Sequence, residues 1–485
     1  VKKNSIPLSE NITTYLGRLY GDDWIRKYTE YIGQSSVDHI RYNSCKTTKE
    51  QLIASLREGY AIELEEVPGF PFALRVVKDE NRNLGKTIEH ITGNYYIQSL
   101  SSMLPPLVMD PQPGERVLDL CAAPGSKTTM LAQMMQNEGS LVANEIQHNR
   151  AGILTFNIER MTAFNTAVLK MPGEQIASYY PEFFDKILVD APCSGLGIIQ
   201  KKGEVSSWWN EELIKKLTFM QYKLLVSAIK ALKEGGTLVY STCTLTVEEN
   251  EEMLQTILDA YPVSLEKISL PLETAPGFTA ILGKTFSPDI AKSCRLDPLV
   301  TGSEGFFVAK LVKTESMDYR PKHQAKTQPH KFTVAPVAKK ALGALGEQFG
   351  IPAEILFHYD YHELHSDLFI VSKGWDGGFF TPHSRLGLKF GALDKYGNLI
   401  LHTNGAQILE KHFTKRIIEC DSPDEVKIYL DGGTIRRPEF SGEKGQAVLR
   451  HRGRILGTGV YVDGGFKSRF PRALRTQTIT MANTD

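Results

Sequence analysis

Cysteine is scarce in this chain: six residues in 485 (45, 121, 193, 243, 294 and 420), with no CxxC pair among them. That spacing excludes a zinc site of the CxxC kind and offers no disulfide framework for so long a chain. Long apolar runs are missing too. No stretch approaches the ~20 apolar residues a membrane span requires, and "VKKNSIPLSENITTYL" contains no apolar core of a secretion signal. A soluble, cytoplasmic protein without a membrane partner is expected. Net charge is absent, 56 Lys+Arg balancing 56 Asp+Glu, so composition announces no nucleic-acid partner, although a neutral total can hide a basic end. No repeat at a period of roughly 20–50 residues is visible. The glycine signatures of nucleotide loops are also wanting. "CAAPGSK" reads Gly-Ser-Lys rather than Gly-Lys-Ser/Thr, Leu120 or Cys121 stands where a phosphate loop needs glycine, and GxGxxG is not found.

What is present is a regular alternation of apolar strands and helices. "ERVLDLC", "GSLVANE", "TAVLKM", "KILVDA" and "GTLVYST" read as strands, and the segments between them carry helical spacing. Strands apolar throughout and alternating with helices indicate an α/β fold, a doubly wound parallel sheet covered on both faces, with ligands outside the carboxyl ends of its strands. "GFFVAKLV" closes that sheet near residue 313. The chain is too long for one core. Residues 1–92 read as a small N-terminal α+β domain expected to bind RNA, in which "ITTYLGRLYGDDWIRKYTEYI" is helical and "FALRVV" a strand. "NYYIQSLSSMLPPLVM" reads as a helix stopped by its prolines, leading into a catalytic domain over 93–313. Residues 314–335, rich in Pro, Lys and His, read as a linker. An intermediate α+β region (336–407) and a strand-rich end (408–485) follow, the latter with short strands in "VKIYLDGGTIRR", "GQAVLRHRGRILGTGVYVDGGFKSRF" and "PRALRT".

Three loops carry the chemistry. In "VLDLCAAPGSKTTML" the small residues Ala122, Ala123 and Gly125 let backbone approach a ligand at a helix N-terminus. Glu145, about twenty residues on at the end of the next strand, stands where a carboxylate takes ribose hydroxyls. Loop and Glu145 together suit an adenosyl ligand without a pyrophosphate, which points to S-adenosyl-L-methionine. Further along, "ILVDAPCSGLG" and "LVYSTCTLTVEEN" place Cys193 and Cys243 at the ends of two consecutive strands, so that both thiols and Asp190 converge beside the cofactor. Pyrimidine C5 is too electron-poor to accept a methyl group unaided. A thiolate adding at C6, with protonation at N3, makes C5 nucleophilic, and loss of the C5 proton then releases the thiol. The scheme needs one attacking cysteine, one acid near N3 and one group that assists elimination.

"DLCAAPGSKT", "VDAPCSGLG" and "YSTCTLTVEENE", in this order, closely resemble the RNA cytosine-C5 methyltransferases of the Nop/Sun (RsmB/Nop) family. "IRYNSCK" is similar to that family's Arg-x-Asn segment, and the resemblance covers roughly residues 38–313. "SRLGLKFG" and "GFKSRFPRALR" resemble the bacterial RsmF type, which appends a PUA-like RNA-binding domain, here 408–485. The resemblance implies a Rossmann-like catalytic domain that methylates RNA, with ribosomal RNA or a ribosomal subunit as the expected partner, tRNA as the alternative and DNA not expected. It also implies Cys243 as the nucleophile, Cys193 as the thiol that resolves the adduct and Asp190 at the base near N3. S-adenosyl-L-methionine would be held by Cys121, Ala122, Ala123, Pro124, Gly125, Ser126, Lys127 and Glu145, with Asp190 adjoining. DNA cytosine-C5 methyltransferases attack with the cysteine of a Pro-Cys pair, and Pro192-Cys193 is such a pair; Thr242-Cys243-Thr244, absent from that plan, favours Cys243. Where the family carries an acid after the third strand to meet the adenine amine, this chain has Met171 and Pro172, with Glu174 nearby as a substitute.

A noncatalytic RNA-binding assembly factor and a dinucleotide-dependent oxidoreductase are the rival classes. The basic surface lies in the tail: Arg450, Arg452, Arg454, Lys467, Arg469, Arg472 and Arg475, with Phe466 and Phe470 interleaved as rings that can stack on unpaired bases. Linker residues Arg320, Lys322, Lys326 and Lys331 add nonspecific attraction. The target cytosine must leave its stack to reach a thiol. "HYDYHELH" reads as a polar strand or loop face rather than a metal site, and no metal is expected. Nothing in the sequence fixes an oligomeric state; a monomer is expected.

Overall fold

The computed structural model describes residues 6–320, 335–376 and 385–475, with the backbone of 328–329, 379–380 and 383–384. At its centre lies a ten-stranded sheet. Five strands are parallel: β1 (Arg116–Asp119), β2 (Ser140–Asn144), β3 (Thr166–Leu169), β4 (Phe184–Asp190) and β5 (Leu232–Thr242). After β6 (Val263–Glu266) and β7 (Cys294–Leu296), β8 (Phe306–Lys313) runs antiparallel to β5 and pairs with both on its other edge. The order β3-β2-β1-β4-β5-β8 reverses between β1 and β4, and a ligand crevice belongs at such a switch point.

The sheet is buried on both faces, as its continuous apolar strands require. Val117, Leu188 and Val239 join a core layer that includes helices α1 (Leu100–Met109), α2 (Ser126–Met134) and α3 (His148–Arg160). Their neighbours Leu118, Ile187, Val189 and Leu238 join the opposite layer, with α4 (Glu211–Ala231) and α5 (Glu251–Ala260). Three expectations about local structure need correction. The prolines do not stop α1, because Pro105 and Pro106 lie inside it, while Tyr95–Ile97 forms a strand. Burial of Met103, Leu104, Pro105 and Pro106 compensates for the missing N–H bonds. "VKIYL" belongs to a helix, Pro423–Leu430, capped by Ser422 and presenting Val426, Tyr429 and Leu430 to the core at helical spacing. "PRALRT" likewise contains a short 3-10 turn, Arg472–Leu474, and no strand among its described residues.

The N-terminal helical segment is two helices, Glu10–Tyr20 and Asp22–Ile32, parted at Gly21 with φ 85°. Their apolar residues Ile12, Leu16, Tyr28 and Ile32 share the core layer of α4 and α5. A separate four-stranded sheet is ordered Glu63–Glu66, Ala73–Lys78, His39–Tyr42, Tyr95–Ile97, so its last strand lies past residue 92. Arg41, fully buried, fastens this sheet to α2: Nε donates to Gln98 Oε1 at 2.9 Å and Nη2 to Thr129 Oγ1 at 2.7 Å.

Beyond residue 335, helix Pro336–Phe349 precedes a four-stranded antiparallel sheet, Asp360–Leu364, Asp367–Val371, Leu388–Leu393 and Leu399–Leu401. A five-stranded mixed sheet follows, ordered Ile417–Glu419, Gln446–His451, Arg454–Val462, Gly465–Ser468, Thr434–Arg436. Helix Thr403–Ile408 spans the division expected at 407. The strand His383–Leu386 pairs antiparallel with β3 and becomes an edge of the central sheet. Trp375 Nε1 donates to Asn165 O at 2.9 Å beside it. No helix among the described residues is long and apolar enough to cross a membrane.

Candidate active site

β4 and β5 end side by side, with Asp190 opposite Ser241 in the register. The chain leaves β4 through Ala191, whose N–H donates to Ser241 O at 2.9 Å, and leaves β5 at Thr242. This brings Cys193 Sγ within 3.2 Å of Cys243 Sγ, both as half-buried free thiols. Asp190 stands next to them. Lys127 Nζ donates to its Oδ2 at 2.6 Å and Ser241 Oγ to its Oδ1 at 2.7 Å. The three residues that the sequence singled out for catalysis therefore meet at one place. Burial works against the Lys127 ammonium, but the Asp190 carboxylate outweighs it and holds the group above its ordinary range. The Cys193 thiol is pushed well up by its hydrogen bond with Cys243, then by burial, with Cys243, Glu249 and Asp190 adding to the effect.

The loops that present the thiols are tightly supported. Gly197 N donates to Cys243 O at 3.0 Å, and Gly305 N to Gly197 O at 3.0 Å. A Cβ on Gly197 would overlap the Gly305 carbonyl, so glycine is required there. The N-terminal helices reach both loops. Tyr28 donates its hydroxyl to Leu196 O at 3.0 Å, and Val247 N donates to Tyr15 Oη at 3.0 Å. Sequence reasoning missed Glu249, a fully buried carboxylate bonded to both loops. It lies in an acidic run that reads as a solvated face, and no local periodicity marks it.

The loop from β1 to α2 is drawn in by Ala122 N donating to Asn144 O at 2.9 Å, and its Ala123–Pro124 peptide is cis. Gly125 then opens α2 with φ 104°, a conformation that suits glycine. Ala122 and Ala123 are buried, whereas Pro124 is exposed. Burial pushes the Cys121 thiol well up. Asp119, at the end of β1, accepts from Thr128 Oγ1 at 2.6 Å, and burial pushes its carboxyl up to about 7. Glu145 follows β2, with Oε1 accepting from Gln147 N at 2.8 Å and Oε2 lying 3.3 Å from Arg150 Nη1. Arg150, also missed, donates through Nη2 to Ala123 O at 2.7 Å and so ties Glu145 to the loop. Ile146 beside it is exposed. Met171 bonds through its backbone to the Asn144 side chain, and Glu174 is exposed at the start of the 3-10 turn Gly173–Ser178.

The tail departs from expectation. Phe466 and Phe470 are 0% and 1% exposed and pack with Tyr429, so neither can stack on a base. Arg450 pairs with Glu419, and Arg454 donates to Asn94 Oδ1 and, at 2.9 Å, to Thr47 Oγ1, joining the C-terminal sheet to the N-terminal one. Arg452, Lys467, Arg469 and Arg472 remain exposed. Arg469, Arg472 and Arg475 line a cavity of about 380 Å³ together with Lys389. Arg320 is exposed beside Asp318; Lys322, Lys326 and Lys331 lie outside the described residues. His362 is buried with Nε2 at 3.0 Å from Leu386 O, and no group of His, Cys, Asp and Glu suited to a metal occurs among the described residues. Cys45 is exposed, and Cys294 and Cys420 are buried.

Residues 106–312 match the family described as 16S rRNA methyltransferase RsmB/F. The chain is 33% identical over 451 residues to the ribosomal RNA small subunit methyltransferase F of Vibrio atlanticus, covering 90% of each chain. It is 38% identical over 287 residues to the tRNA (cytosine(49)-C(5))-methyltransferase of Pyrococcus abyssi, covering 59% of this chain and 91% of that one. A crystal structure of a methyltransferase homolog protein from Pyrococcus horikoshii aligns with TM-score 0.57 and 34% identity, covering 64% of this chain and 96% of the other.

Proposed function

The chain belongs to the RsmB/F family of 16S rRNA methyltransferases, and from that premise we propose that it methylates C5 of a cytosine in small-subunit ribosomal RNA through a covalent cysteine adduct. Its cofactor is S-adenosyl-L-methionine. The residues present suit such a donor: a loop of small residues at a helix N-terminus, the Glu145 carboxylate at the next strand end, and the exposed Ile146 beside it. Bound there, the cofactor supplies an electrophilic methyl group.

The chain's own residues do the rest. The Cys243 thiolate adds to C6 of an unstacked cytosine, forming the S–C6 bond and moving the ring's electron pair toward N3. The Lys127–Asp190 pair supplies the proton at N3, and C5 becomes nucleophilic. Once C5 carries the methyl group, its proton leaves to water, N3 returns its proton to the pair, and the S–C6 bond breaks. Cys193 hydrogen-bonds to the departing sulfur. The 3.2 Å approach of the two sulfurs beside the Lys127–Asp190 pair is the observation that carries this reading.

We further assign RNA binding to the N-terminal sheet and to a PUA-like domain over 408–485, where Lys467, Arg469 and Arg472 remain exposed. A tRNA substrate has the support of the Pyrococcus abyssi relative. That likeness stops at 59% of the chain, whereas the small-subunit relative extends over 90%. A noncatalytic assembly factor would have no use for two facing thiols and their acid pair. Mapping 5-methylcytidine in cellular RNA with and without the gene tests the substrate. Loss of one modified cytosine in small-subunit RNA is expected; loss confined to tRNA moves the substrate, and no loss in any RNA removes the activity.

A further inference from the structure

The loops that carry the two thiols share one carboxylate. Glu249 is 0% exposed. Its Oε1 accepts from Ser194 N at 2.9 Å and from Gln221 Nε2 at 2.9 Å, and its Oε2 from Thr246 Oγ1 at 2.7 Å and from Ser194 Oγ. Gln221 Nε2 also donates to Pro192 O at 2.9 Å, and Ser194 Oγ lies 2.8 Å from Thr244 Oγ1. The residues immediately around Cys193, and those just after Cys243, are thus held by a single side chain. All the donors are neutral, so these bonds favour the ionised form without cancelling its charge. Burial holds the Glu249 carboxyl above the usual range against the pull of Ser194, Thr246 and Gln221, and once ionised it acts on its surroundings through a poorly polarisable interior.

We propose that Glu249 is a positioning residue for the two-thiol chemistry: it fixes the spacing of Cys193 and Cys243 by clamping both loops, and in its ionised form it is the acid that faces Cys193 and leaves Cys243 to attack. Attack on a base by Cys243 rests on the methyltransferase reading above; the clamp and the charge do not. The groups facing Cys193 are Cys243, Asp190, Glu249 and Tyr240, with Lys127 beyond on Asp190. Of these, Glu249 and Asp190 are the acids, and Lys127 neutralises the second. Glu249 is therefore the acid beside Cys193 with no ammonium among its hydrogen-bond donors. A proton held on Cys193 suits the 3.2 Å sulfur–sulfur hydrogen bond, because that thiol then donates to Cys243 as it leaves C6.

Glu249→Gln separates the two roles. A glutamine amide can keep all four contacts, its oxygen accepting from Ser194 N and Gln221 while its NH2 group donates to the hydroxyls of Ser194 and Thr246, so the clamp stays and the charge goes. Glu249→Ala removes both. Cys193 alkylation by iodoacetamide, followed by mass spectrometry of the full chain from pH 6 to 10 in a Cys243→Ser background, reads the charge without RNA or cofactor. Glu249→Gln is expected to raise the rate at pH 8 severalfold; a change under about twofold refutes the charge role. In a Cys193→Ala background, where the adduct persists, Glu249→Ala is expected to cut covalent capture of RNA by at least about tenfold while Glu249→Gln retains it. Equal capture by the Cys193→Ala parent and by both double variants refutes the clamp. Should the Cys193→Ala parent capture no RNA, the methyltransferase reading fails, and the alkylation profiles still decide what Glu249 does to Cys193.

Discussion

Asp119 gives the most quantitative prediction. Its carboxyl is raised from the ordinary 3.8 to about 7, chiefly by burial at the end of β1, although Thr128 donates to it. The folded protein therefore holds a proton that the unfolded chain releases above pH 4. Stability conferred by that proton is fully present below pH 4, is lost as pH rises toward 7, and stays level above it. A carboxyl that titrates about three pH units higher in the folded chain costs about 4 kcal/mol at pH 8, of which about 2 to 3 kcal/mol is lost between pH 5 and pH 8. Asp119→Asn keeps the shape and the acceptor for Thr128 and removes the titration. Urea unfolding of the cofactor-free full chain, followed by a probe on the catalytic domain at pH 5, 6, 7 and 8, is expected to show the variant gaining on the wild type by that amount. A difference that stays constant across this range refutes the burial argument.

Other predictions follow from single contacts. Gly197→Ala drives a Cβ into the Gly305 carbonyl; a stability loss of about 1–3 kcal/mol in urea unfolding is expected, with a much larger loss of methyl transfer because the Cys193 loop must move. Lys127→Met removes the donor to Asp190 and is expected to cut kcat by roughly a hundredfold while calorimetry finds affinity for S-adenosyl-L-methionine nearly unchanged; the opposite split would make Lys127 a cofactor ligand only. Arg469→Ala is expected to reduce the slope of RNA binding against log salt by about 0.7–0.9, one phosphate contact. Arg454→Ala is expected to leave that slope unchanged and to lower the melting temperature, because its guanidinium holds Asn94 and Thr47.

The parallel sheet was legible because its strands are apolar on both faces, as Val117 and Leu118 on β1 or Leu188 and Val189 on β4 illustrate. The meeting of Cys193, Cys243 and Asp190 was legible for a related reason: consecutive parallel strands end together, so loop residues at those ends share a crevice. What depends on distant pairing was not. His383–Leu386 joins β3 across more than two hundred residues of chain, and no composition rule signals an edge strand at such a distance. Glu249 and Glu251 sit in one acidic run, yet both are fully buried, the second against Arg295; only tertiary packing separates them from solvated glutamates. The tail phenylalanines were misjudged because a basic, aromatic segment reads alike whether its rings line a core or an RNA surface. The helix at Pro423–Leu430 was hidden by residues that suit strands equally well.

The account stands on which sulfur bonds to the base. Incubating the Cys193→Ala and Cys243→Ala variants with substrate RNA and S-adenosyl-L-methionine, then resolving the products on a denaturing gel, measures this directly. A protein–RNA species that persists with Cys193→Ala and is missing with Cys243→Ala is predicted. Accumulation with Cys243→Ala alone would reverse the two roles, and no covalent species with any variant would contradict the thiol mechanism.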